Sequence, residues 1–340
     1  MSRRRVLALT TLVLSLLSLW ALAVGSSIPA PIVDLEASAS LSDESLYDVV
    51  IERVKTGESY YRAAADAQAD AGYPTSPPPT IRLPTTTWLV ALLGDWAPWV
   101  LRGLIIMTAL VAMVRFERLA PTRAEWLVST LALAAGIGVF AHPRAVVLSE
   151  AWVACLLALS LLLHRPGRYR LSVALGFVAV CFRELAVPYL VVMAFLAWRR
   201  DRRESWAWAV ALLVFSVFYA IHWVLGSRAA AGQTSVKSPS WLEFGGWPYV
   251  VDTFGFSSVL RPLPYEVWVA ALALALLGWA GMAGHYRDRV LVLAVGFMAI
   301  FLFVGRPDTA YWGRLYFAWV IPGLAFAPRA VKDLVMRRDE

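Results

Sequence analysis

With 59% hydrophobic and only 16% charged side chains over 340 residues, the chain is too apolar for an ordinary soluble domain, in which about a quarter of residues are charged. A net charge of +7 does not make it a nucleic-acid binder, because its basic residues sit in short loops between apolar runs rather than along one stripe. Its two cysteines, Cys155 and Cys181, both lie inside apolar runs and offer no disulfide framework or zinc cluster.

The remaining class is an all-α, polytopic membrane protein, with apolar segments at 7–24, 97–114, 124–141, 148–163, 171–198, 205–225, 266–284, 290–304 and 316–328. The first segment follows Arg3-Arg4-Arg5 and precedes small residues near 26–30, as a secretory signal would. The many spans after it favour an uncleaved first helix. The loop at 25–96 carries ten acidic residues against four basic ones and is expected outside. Within it, 46–69 reads as one amphipathic helix lying flat on the membrane, with Leu46, Val49, Val50, Val54 and Tyr61 at helical spacing and Ser42 as its cap. Pro74, Pro77, Pro78 and Pro79 then impose an extended link before a short apolar stretch at 88–93.

Six basic loops, at 3–5, 115–123, 164–170, 199–203, 286–289 and 329–340, hold 19 of the 31 Lys and Arg residues, which places them together in the cytoplasm. Segment 171–198 has basic loops on both flanks and must go out and come back. As one helix its 28 residues would measure about 42 Å, too long for a core of about 30 Å. The turn is expected at Arg183-Glu184, with Pro188 breaking the helix. The count becomes about ten spans, some half-length, in one transmembrane domain over 1–340 with both termini inside. The outer segments are then 25–96, 142–144, the 183–184 tip, a second large loop at 226–265, and 305–314. Trp88, Trp96, Trp99, Trp223, Trp247, Trp268 and Trp312 are expected to form an interfacial belt. No internal repeat is present, which weakens a transporter built of duplicated halves.

Candidate chemistry collects on this outer side. Asp43 and Glu44 open the amphipathic helix, where the dipole favours ionised carboxylates; they could serve as a base or simply cap the helix. Asp34, Glu36 and Asp48 compete for the same role. Arg82, before Leu83-Pro84, could grip a phosphate or pair with a loop acid, and Arg144 is a less specific second cation. Arg183 and Glu184 stand out because charge at membrane depth is costly and faces a cavity or a partner. Arg306 and Arg314 flank Tyr311-Trp312-Gly313 as a further anion-binding cluster. Tyr47, Tyr60, Tyr61, Trp247 and Tyr249 could stack on sugar rings or belong to the belt. His142 and His222 lack partners at metal-ligand spacing, and no P-loop, Gly-rich nucleotide fingerprint or G-x-S-x-G elbow occurs.

Asp43-Glu44-x-x-Tyr47, then Gly57 with Tyr60-Tyr61, then Tyr73-Pro74 and Arg82-Leu83-Pro84 before Trp88-Leu89 together resemble the GT-C class of membrane glycosyltransferases, including its mannosyltransferase-like members. The resemblance covers mainly residues 7–95. It implies that an acid of the first outer loop, Asp43 or alternatively Glu44, activates an acceptor, and that Arg82 is a candidate to hold the phosphate of a polyprenyl-phosphate-linked sugar donor; Arg183 and Arg314 join it as candidates on topology. Inverting transfer to a lipid or glycan acceptor on the periplasmic face is then expected, the Ala-, Leu- and Arg-rich composition points to a bacterial inner membrane, and the partners expected are membrane lipids but no nucleic acid. No particular cofactor is indicated, and the loop acids would suit a divalent metal. The alternatives are an O-antigen-type glycan polymerase or ligase, expected to carry its large loop later in the chain, and a lipid-linked substrate transporter or flippase using Arg183-Glu184 as a gating pair.

Overall fold

The structure, a computed structural model, describes residues 3–28, 41–233 and 237–336. Among them the chain is helical throughout, with three isolated bridge pairs and no strand. The helices are α1 (Arg3–Val24), α2 (Asp43–Lys55), α3 (Tyr60–Asp70), α4 (Thr85–Leu93), α5 (Ala97–Leu119), α6 (Arg123–Gly138), α7 (Ser149–Leu163) and α8 (Arg170–Phe182). There follow α9 (Val187–Trp198), α10 (Arg202–Ala230), α11 (Gly246–Phe256), α12 (Tyr265–Gly281), α13 (His285–Phe301), α14 (Phe317–Val320) and α15 (Ala327–Met336). Three stretches, Arg5–Val24, Pro78–Leu119 and Arg202–Ala230, are long and apolar enough to cross a bilayer, and several shorter apolar helices accompany them. Their outward faces expose Leu12, Leu16 and Leu19 on α1, Ile106 and Leu110 on α5, and Leu213 and Val217 on α10, as expected of surfaces facing lipid rather than water.

At the centre lies α7, buried at every residue from Glu150 to Leu162. A helix apolar all round must be enclosed on all sides. Its 15 residues span about 22 Å, and its two ends belong to different neighbourhoods: Glu150 starts it among the outer loops, and His164 follows it among the basic ones.

The expected single helix at 46–69 is two. Gly57, at φ +96°, turns the chain between α2 and α3, a conformation that costs residues with a Cβ. Ser42 does cap α2, its hydroxyl accepting from the Ser45 amide at 3.4 Å. The apolar faces of the two helices do not lie flat on lipid. Leu46, Val50, Tyr60, Ala63, Ala64 and Ala67 close with Ile81 into a small core of their own.

The chain does reverse within 171–198. Gly176 on α8 lies against Tyr189 and Leu190 on α9, residues that a continuous helix would hold about 20 Å away. The break falls at Arg183, in extended conformation (φ −152°, ψ 117°), and not at Pro188. Pro188 occupies the first turn of α9, where its missing N–H is not needed.

Three further expectations are corrected. The 226–265 region is not simply a loop: α10 continues to Ala230, and α11 is a buried helix whose Tyr249, Val250, Val251 and Phe254 fill the core. The last apolar run is not a uniform α-helix: α14 passes without a gap through a 3-10 stretch at Ile321–Phe326 into α15. Gly323 and Gly278 of α12 allow the two backbones to meet, and a Cβ on either would collide with main-chain atoms of the other element. Finally, Trp247, Trp268 and Trp312 are buried and cannot belong to an interfacial belt, whereas Trp88, Trp96, Trp99 and Trp223 are exposed as expected.

The basic loops gather at one end through direct contacts. Arg115 Nη2 donates to the His164 carbonyl at 3.4 Å, His164 Nε2 lies 2.7 Å from Glu204 Oε1, Arg200 pairs with Asp288 at 3.4 Å, and Arg329 pairs with Glu125 at 2.8 Å. The segments expected outside gather at the other end, where Arg144 pairs with Glu44 at 3.1 Å and Arg82 meets Tyr311 at 2.8 Å.

Candidate functional site

Arg82 organises the outer end. The Tyr60 hydroxyl donates to the Arg82 carbonyl at 2.6 Å and fixes the backbone, so the guanidinium points inward. Its Nε donates to the Tyr47 hydroxyl oxygen at 3.1 Å, and its Nη2 to that of Tyr311 at 2.8 Å. Both acceptors are neutral. The guanidinium's charge is therefore held in place without being cancelled. Burial pushes the Tyr47 and Tyr311 phenols upward, against the opposing pull of Arg82. They stay protonated near neutrality, and each keeps its own O–H to donate.

Two more guanidiniums face this point. Arg183 is 1% exposed, and its Nε lies 3.2 Å from Glu150 Oε1 and its Nη1 3.8 Å from Glu184 Oε1. Those contacts are misdirected: Nε, Nη1 and Nη2 all remain without a hydrogen bond. Leaving such donors unpaired in a buried position is costly, and an anion would satisfy them. Arg314 lies over the rings of Phe140 and Tyr311, at 5.7 and 5.8 Å, with no hydrogen bond or ion pair among the described residues. Burial disfavours its charge, and Glu150 and Tyr311 oppose that effect. In this inner group three guanidiniums face two carboxylates, Glu150 and Glu184, so positive charge is in excess.

The rim is acidic. Arg144 bridges Glu44 at 3.1 Å and Asp48 at 3.5 Å. Glu44 is thereby engaged, while Asp43 beside it has no hydrogen bond or ion pair among the described residues and is close enough to act electrostatically on Tyr47 and Tyr311. Asp34 and Glu36 lie outside the described residues. A narrow open pocket is lined by Tyr47, Tyr60, Gln68, Arg82, Thr86 and Ser149 and by the apolar side chains of Leu46, Val50, Leu83 and Val147. Two groups in this lining, Gln68 Oε1 and Thr86 Oγ1, are buried without a partner. Two phenols, unspent neutral polar groups and a cation together offer hydrogen bonds and charge to a hydroxylated or negatively charged group.

The structure thus brings together Asp43, Glu44, Tyr47, Tyr60, Arg82, Arg144, Arg183, Glu184 and Arg314. It leaves out Tyr61, whose hydroxyl meets His222 Nδ1 at 3.3 Å on α10, and Arg306, which forks onto Asp308 at 3.1 and 2.8 Å and donates to the Pro239 carbonyl. Two site residues escaped sequence reasoning. Glu150 opens an apolar segment, and the rule that marked Arg183, that charge at membrane depth needs a reason, would have marked it too. Tyr311 was legible only as an aromatic neighbour of the arginines; its hydroxyl contact spans 229 residues. Among the described residues no three His, Cys, Asp or Glu side chains converge as a metal site.

Comparison with protein-family models, with curated proteins and with solved structures returns no match. The functional assignment is therefore carried by this chain's own geometry.

Proposed function

We propose that the chain is a membrane glycosyltransferase that moves a sugar from a polyprenyl-phosphate-linked donor to a lipid or glycan hydroxyl at the outer face of a bacterial inner membrane, with inversion. In this proposal the chain crosses the membrane about ten times with both termini in the cytoplasm. The observation that carries the proposal is Arg82, a cation in the lining of a pocket and held by two neutral phenols, Tyr47 and Tyr311, on both of which the uncommitted Asp43 acts electrostatically.

In the proposed step, Asp43 accepts the proton of the acceptor hydroxyl, and the hydroxyl oxygen forms a bond to the anomeric carbon from the face opposite the phosphate. The bond from that carbon to the phosphate oxygen breaks, and its electron pair leaves with the lipid phosphate. The leaving phosphate gains charge as the bond breaks. Fixed cations in a partly dehydrated site favour that state more than the ground state. Arg82, Arg183 and Arg314, with the Tyr47 and Tyr311 O–H groups, are in place to do so.

The test is transfer of labelled sugar from a panel of polyprenyl-phosphate sugars in membranes holding equal amounts of folded wild type and Asp43→Asn. A loss of about 10²- to 10⁴-fold in turnover is expected for the variant. Full turnover by Asp43→Asn would remove Asp43 from the role. Movement of donor across the bilayer without any covalent product would replace the enzyme by a transporter.

A further inference from the structure

At the basic end of the bundle, about 22 Å along α7 from Glu150, lies a second buried charge cluster with a different deficit. Glu204 is 2% exposed, and its Oε1 is met by His164 Nε2 at 2.7 Å, Arg289 Nη2 at 3.3 Å and the Trp208 indole N–H at 3.4 Å. That oxygen is fully used. The cations around it are not. Arg289 is 3% exposed with its Nε unpartnered, and the hydroxyl of Tyr286, itself 5% exposed, is unpartnered as well. Arg115 lies over the Tyr286 ring at 5.3 Å and donates Nη2 to the His164 carbonyl, while its Nε has no partner. Arg118 and Arg165 add positive charge close to Arg115. The neighbouring carboxylate, Asp288, is engaged by Arg200 at 3.4 Å and by Arg287 at 3.2 Å. The cluster therefore holds more positive charge than Glu204 cancels, and its three unsatisfied donor atoms come from helices α5 and α13.

Buried donors of this kind are normally satisfied, and excess cations between helix ends at the basic face of a membrane protein match an anionic headgroup. We propose that Arg115, Tyr286 and Arg289 form a binding site for a phosphate-bearing anion at the basic end of the bundle, with Arg165 at its entrance. Arg115 is partly exposed and forms the open side. The chemistry is shared by an anionic phospholipid headgroup and by free phosphate. The site is independent of sugar transfer at the other end, and its occupation would clamp α5 to α13.

The experiment uses the full-length chain purified in a neutral detergent. Thermal unfolding is followed by tryptophan fluorescence while short-chain phosphatidylglycerol, inorganic phosphate or the uncharged diacylglycerol of the same chain length is titrated. A saturable rise in Tm with phosphatidylglycerol or with phosphate, and none with diacylglycerol, is expected. A response to phosphatidylglycerol alone assigns the site to lipid; a response to phosphate shows that the free anion suffices. Arg115→Gln should weaken that affinity about tenfold or more, and the conservative Tyr286→Phe about threefold, by loss of hydrogen bonds to a charged ligand. No saturable rise with either anion would overturn the proposal. So would a rise unaltered by both variants, or one abolished by Arg82→Gln, which would place the binding at the opposite end. A Tyr286→Phe protein that is simply more stable, with unchanged affinity, would show the hydroxyl to be only a buried penalty and would count equally against the site.

Discussion

The two ends of α7 each hold buried arginines with unspent donors beside carboxylates, yet the carboxylates are used differently at each. At the basic end, Glu204 draws donors from the residue after α7, from its own helix α10 and from α13 onto a single oxygen, tying three elements together. At the outer end, Arg82 is held by neutral hydroxyls and lines an open pocket, and Arg183 has carboxylates nearby but no well-aimed hydrogen bond. A carboxylate saturated from several elements is an architectural tie. A cation held by neutral groups with its donors unspent is ready for a ligand. Buried charge is therefore sorted less by its depth than by whether its hydrogen-bonding capacity is already used.

Substitutions at the two ends should separate these roles. The largest effect is expected from Glu204→Gln, which leaves Arg289 buried without a counter-charge. Stability should fall by about 3–5 kcal/mol, read as a lower denaturation midpoint, while the activity per folded molecule is retained. Arg82→Gln should show the reverse, with sugar transfer reduced about 10²- to 10³-fold and a nearly unchanged denaturation midpoint; an unfolded Arg82→Gln protein would make the two ends alike and remove the distinction. Tyr311→Phe keeps the ring but loses the hydroxyl that holds Arg82, so donor affinity should fall about fivefold, the worth of about 1 kcal/mol. The smallest expected effect is a flat response to pH. Because burial raises the Tyr47 and Tyr311 phenols above their ordinary value, they remain neutral donors as pH climbs to the usual tyrosine range of about 10. Ionisation would instead set a phenolate against the incoming phosphate. Donor affinity should therefore hold through that range, and a decline there in wild type that is absent from a Tyr47→Phe, Tyr311→Phe double variant would show that the phenols titrate normally.

Much of the frame could be read in advance because it depends on local composition. The apolar runs marked the membrane class, the basic loops marked one end of the bundle, and the conflict over 171–198 marked the reversal at Arg183. The Ser42 cap and the grouping of Asp43, Tyr47 and Arg82 in one loop are likewise short-range features. Helix continuity was harder to read. The break at Gly57 depends on a single positive φ, and the 3-10 stretch within the last helix lies where Gly278 and Gly323 approach closely from different parts of the chain.

By itself, the sequence determined where the chain is apolar, which loops carry positive charge, and which ionisable residues sit too deep to be incidental, because hydrophobicity and charge density are properties of neighbouring residues. Only the tertiary structure decided how those charges are used. It joined Arg82 to Tyr311, set Glu150 beside Arg183, turned Arg306 onto the Pro239 carbonyl, and buried Trp247, Trp268 and Trp312 away from any interface. Whether a charged group is spent or free depends on partners tens to hundreds of residues away, and those contacts exist only once the helices have packed.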